Sequence, residues 1–132
     1  MWLAPRPGYQ GDMRIVLVDD TDEVRELVAE VLTAAGHDIV AHAHDGWEGV
    51  ELALAEHPDA VITNWHMPRM DGMETTRRIR AAYPSVAILA LSSTSDPAVR
   101  DGFLQAGADA VMDKRDMRGL VAAVHAIERA RN

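Results

Sequence analysis

Short apolar runs alternate with amphipathic stretches five times along these 132 residues. The runs predict strands over residues 14–18, 38–42, 59–64, 86–91 and 109–112. Between them the spacing of apolar positions lengthens to that of a helix. Residues 21–35 place Val24, Leu27, Val28, Val31, Leu32 and Ala35 on one face, and Gly36 supplies the stop. Residues 47–57 place Trp47, Val50 and Leu54 inward and end before Pro58. Residues 73–82 close at Tyr83-Pro84. Residues 97–106 follow Asp96 as N-cap, with Pro97 at the first helical position and Gly107 at the end. The last stretch, 117–131, buries Leu120, Val121, Val124 and Ile127. Five strand–helix units with apolar strands predict one α/β domain, a parallel sheet covered by helices on both faces. Functional groups in such sheets collect at the carboxyl ends of the strands. Along that edge lie Asp19-Asp20, Asn64, Ser92-Ser93 and Lys114.

Composition narrows the classes. A formal charge of −8 and scattered arginines argue against a nucleic-acid surface, which needs clustered cations. The run Arg77-Arg78-Ile79-Arg80 reads as a solvated helix face. No apolar run approaches the length of a membrane span, roughly 18 residues. The chain has no cysteine, which is compatible with a cytoplasmic location. Residues 1–12, with Pro5, Pro7, Gly8 and Gly11, are expected to be a disordered tail, natural or left over from cloning, ahead of a domain at 13–132.

Two acids, a hydroxyl and a lysine at successive strand ends suit phosphoryl transfer, in which positioning and charge neutralisation carry most of the catalysis. Asp19 and Asp20 are suited to Mg²⁺, and Lys114 to a phosphoryl oxygen. Ser92 can donate to a second oxygen, and small Ser93 leaves room for access. Lys114 is the only lysine among 13 basic residues, which marks a position where a compact ammonium matters. Asp20 is also placed to cap the helix that follows it. A carboxylate at 64 would complete such a pocket as nucleophile. The residue present is Asn64.

From Met13 to about Arg129 the chain resembles the receiver domains of response regulators in two-component signalling. The likeness rests on Val18-Asp19-Asp20, on ITNWHMPRMDG from Ile62 to Gly72, on Leu91-Ser92-Ser93 and on Met112-Asp113-Lys114. It implies a CheY-like, flavodoxin-like (βα)₅ three-layer sandwich with strand order 2-1-3-4-5. It implies Asp19, Asp20 and the His66 backbone carbonyl as Mg²⁺ ligands together with position 64, Ser92 and Lys114 as the switch pair, and a phosphorylated Asp at 64. Asn64 departs from that pattern, so the chain is expected to be a phosphorylation-independent receiver or a variant locked off by Asp→Asn, with weak Mg²⁺ binding. Arg115 replaces the proline that often follows the lysine, and Val111 replaces the switch aromatic.

The resemblance implies a histidine kinase or a histidine phosphotransfer protein as partner. An output domain or a second copy would meet the face formed by residues 96–131. An enzymatic alternative, a haloacid-dehalogenase-like phosphatase, would use Asp20 as nucleophile and Asp22 as acid/base, from the DxDxV spacing at Asp20–Val24. His42 and His44, two apart, lack the further ligands of a metal site. Trp65 is expected at a loop or rim, and Met67, Met70 and Met73 in turn and core packing.

Overall fold

The computed structural model describes residues 13–131, so the expectation for the first twelve residues lies outside it. Five strands and five helices alternate: β1 (Arg14–Val18), α1 (Asp22–Ala34), β2 (Asp38–Ala43), α2 (Gly46–Glu56), β3 (Ala60–Asn64), α3 (Gly72–Ala82), β4 (Ala87–Ser92), α4 (Pro97–Ala106), β5 (Ala110–Asp113) and α5 (Met117–Arg131). All strand pairings are parallel and the order is β2-β1-β3-β4-β5, as the resemblance implies. Element ends differ from the sequence expectation by about one residue. One such difference makes Ser92 the last residue of β4.

Alternation along the strands splits the core in two. Val16, Val18, Val61, Ile88 and Ala90 face α2, α3 and α4, where Ile79 and Phe103 are fully buried. Ile15, Leu17, Ile62, Leu89 and Leu91 face α1 and α5, against Val28, Leu32, Leu120 and Val124. β2 carries one extra residue opposite β1, because Ile15 pairs with Ile39 but Val16 pairs with Ala41.

Two helix faces differ from the expected ones. In α2, Trp47 is 52% exposed and Leu54 is 41% exposed, and the inner face is Gly46, Gly49 and Ala53. A Cβ on Gly49 would stand 2.9 Å from the Val18 side chain, and one on Gly46 would stand 2.8 Å from Met70 Sδ. The helix therefore lies too close to the sheet and α3 to admit an indole. Trp47 turns outward, and the Arg78 guanidinium lies 4.6 Å from its ring centroid. In α1, Leu27 is 49% exposed, and Arg25 occupies the inner face with Val28 and Leu32.

Candidate functional site

The strand ends place the predicted residues on one edge. Val18 pairs with Thr63 and Asn64 pairs with Leu91, so Asp19 and Asn64 emerge side by side, while Ser92 opposite Asp113 brings Lys114 next to them. The Lys114 amide donates to the Ser92 carbonyl at 3.0 Å. Asp113 holds Arg115 by its backbone N–H at 2.8 Å and by its guanidinium at 3.0 Å. Those two side chains satisfy each other outside the pocket, and Lys114 between them reaches inward.

The centre is a closed network. Lys114 Nζ donates to Asn64 Oδ1 at 3.1 Å and pairs with Asp19 Oδ2 at 3.6 Å. Asn64 Nδ2 donates to the His66 carbonyl at 3.0 Å and to Asp19 Oδ1 at 3.4 Å. Asp19 and Asn64 are buried. Burial pushes the Asp19 carboxyl above its ordinary value, the Thr21 N–H and the Lys114 charge pull it back, and the Asp20 charge adds to the rise.

Other predicted roles meet a different geometry. Ser92 is buried at the pocket wall, with its hydroxyl accepting the Thr94 N–H at 3.2 Å. Asp20 is exposed and does not cap α1. The N-cap is Thr21, which makes no side-chain cap bond, and its N–H goes instead to Asp19 Oδ1 at 2.9 Å. The phosphatase assignment fails at Asp22. Its carboxylate pairs with Arg25 at 2.7 Å, which holds its pKa below the ordinary value, the wrong direction for a general acid. Trp65 is half-buried, and its ring centroid stands 4.0 Å from that of His66.

Sequence reasoning missed Arg25. Its guanidinium is buried, donating to the Asp19 carbonyl at 2.7 Å, to Asp22, and to His42 Nδ1 at 3.1 Å. It ties the start of α1 and the edge strand β2 to the residue that carries the acidic pocket. Its signal was a basic residue at the i, i+3, i+7 spacing of Val28 and Leu32. His42 bears the consequence, since desolvation and then the Arg25 charge hold its pKa below the usual 6.5. A depressed histidine pKa gives stability that is present above the unfolded value and lost as pH falls through the folded one. Thermal unfolding between about pH 7.5 and pH 5.5 should show a smaller acid-side loss in His42→Gln than in the unsubstituted chain. Parallel curves for the two would remove His42 from the account.

As a cation site the edge is partly suitable. Asp19 Oδ1 and the His66 carbonyl supply two hard oxygens facing one point, but that point is filled by an N–H donor of Asn64. Among the described residues no group of three or more His, Asp or Glu side chains is arranged to hold a metal. Nor is any helix among them long and apolar enough to cross a membrane.

A family model described as the response regulator receiver domain matches residues 15–125. The chain is 36% identical over 102 residues to the response regulator MprA of Mycobacterium avium (strain 104), an alignment covering 77% of this chain and 44% of that protein. It thus spans under half the length of such curated relatives. The signal receiver domain of the putative response regulator NarL from Mycobacterium tuberculosis superposes with a TM-score of 0.84 at 29% identity, over 91% of this chain and 98% of that one. CheY in the CheX-CheY-BeF3-Mg complex of Borrelia burgdorferi superposes with a TM-score of 0.83 over 87% of this chain and 88% of that one. At 22% identity that last likeness is one of fold.

Proposed function

Because the chain belongs to the response regulator receiver domain family, we propose that it is the receiver of a two-component phosphorelay whose acceptor position is Asn64, and that it signals without phosphorylation there. The observation that carries this reading is the amide at the end of β3 with Lys114 on its oxygen. A neutral amide oxygen does not form a stable acyl phosphate. The module works by binding rather than by catalysis, in the cytoplasm, with a histidine kinase or histidine phosphotransfer protein as partner. An output domain or a second copy meets it through residues 96–131. Affinity for the phosphotransfer partner should be the same with and without acetyl phosphate, measured by calorimetric titration. A phosphodonor-dependent affinity in the chain as it stands would overturn the proposal.

Receiver domains generally bind Mg²⁺. Here the carboxylates of Asp19 and Asp20, the His66 carbonyl and the Asn64 amide oxygen would hold it, and binding is proposed to be weak. At ~4 Å and an effective dielectric of ~20, one unit charge interaction is worth up to ~4 kcal/mol before desolvation offsets it. A net loss of about 1.4 kcal/mol already weakens binding about tenfold. Quenching of Trp65, beside the site, should therefore require about tenfold more Mg²⁺ in this chain than in Asn64→Asp.

A further inference from the structure

We propose that the Asn64 amide nitrogen is a built-in substitute for the divalent cation, so that this pocket assembles without metal and admits one only by turning the amide over. The inference rests on the receiver reading for the identity of the metal-facing oxygens. Two of those oxygens, Asp19 Oδ1 and the His66 carbonyl, both accept from Asn64 Nδ2, at 3.4 Å and 3.0 Å. On the other side the amide oxygen accepts from Lys114 at 3.1 Å. One neutral side chain thus bonds a carboxylate, a carbonyl and an ammonium, with Asn64 only 6% exposed and Asp19 4%.

The network also fixes which way the amide points. Turned over, its oxygen would face the Asp19 carboxylate and the His66 carbonyl, and its NH₂ would face the Lys114 ammonium. Three attractive contacts would become three repulsive ones. A cation at the oxygens reverses that preference, at the cost of the Lys114 bond. An Asp at 64 has no such adaptor. Without metal it sets two buried carboxylates against one ammonium and leaves the His66 carbonyl facing an oxygen.

Thermal unfolding of the chain, Asn64→Asp and Lys114→Met, each in EDTA and in about 1 mM MgCl₂, tests this. The chain itself should melt at the same temperature in both. Asn64→Asp should melt roughly 5 °C or more lower in EDTA and regain most of that in Mg²⁺. Lys114→Met, which frees the amide to turn, should gain a Mg²⁺ response. A second readout needs no substitution: the Asn64 NH₂ protons should exchange slowly in EDTA by ¹⁵N-resolved NMR. The proposal is overturned if those protons exchange as a free amide, if Asn64→Asp is as stable as the chain in EDTA, if Mg²⁺ raises the chain's own midpoint as much as the variant's, or if Lys114→Met stays indifferent to Mg²⁺. None of these measurements involves phosphoryl transfer or partner binding, so the inference and the receiver reading can fail separately.

Discussion

Asn64→Asp is expected to take up a phosphoryl group from acetyl phosphate in the presence of Mg²⁺, by at least about a hundredfold over the unsubstituted chain, a difference of about 2.7 kcal/mol in barrier. Two charged groups stand at residue 64. Lys114 already reaches the oxygen of residue 64 at 3.1 Å, and Asp19 stands beside it. The substitution changes one NH₂ to an oxygen, which supplies the nucleophile and removes the N–H donor from between Asp19 Oδ1 and the His66 carbonyl. Ser92 has to turn its O–H away from the Thr94 carbonyl, 3.5 Å off, to serve the transferred group, and its oxygen can go on accepting the Thr94 N–H. Intact-mass and peptide-mapping spectrometry after brief incubation will locate the label. A stable acyl phosphate at residue 64 of the unsubstituted chain, or none in Asn64→Asp, would defeat the assignment of this edge.

Gly72→Ala should have the largest effect on stability of any single-methyl addition near the site, about 3 kcal/mol. The first residue of α3 packs against the end of β3 with no space between them. A Cβ there would collide with the Asn64 carbonyl oxygen and stand 2.9 Å from its carbonyl carbon and 3.1 Å from Trp65 Cα. These are backbone atoms, so no side-chain rotation relieves the contact. The Gly72 N–H also bonds the Trp65 carbonyl at 2.8 Å, which closes the β3–α3 loop around His66. Pushing α3 outward would break that closure and move Asn64 away from Lys114. Urea unfolding measures the loss, and the same variant should show faster exchange of the Asn64 NH₂. A midpoint within error of the parent would mean the loop yields at little cost.

The alternation of apolar runs and helical stripes determined the five βα units, because strands buried on both faces and helices buried on one leave different periods in the chain. Their order placed Asp19, Asp20, Asn64, Ser92 and Lys114 on one edge, and the spacing of four motifs identified the family. These are local signals, carried by residues a few positions apart. Hydrophobicity alone places Trp47 on the wrong side, because it predicts the wish to be buried, whereas the room available depends on the neighbouring element. Gly46 and Gly49 let α2 approach so closely that only small residues fit beneath it. Arg25 inverts the same rule, a charge buried because the Asp19 carbonyl and His42 reach it from two other segments and Asp22 from its own helix.

Asn64 divides the two sources of information most sharply. The sequence determined that the nucleophile is missing, since that is a matter of one side chain's chemistry. Only the tertiary structure decided what the amide does instead. Its donors and acceptor meet Asp19 from 45 positions away and Lys114 from 50 positions away, partners that the parallel register alone brings within hydrogen-bond reach.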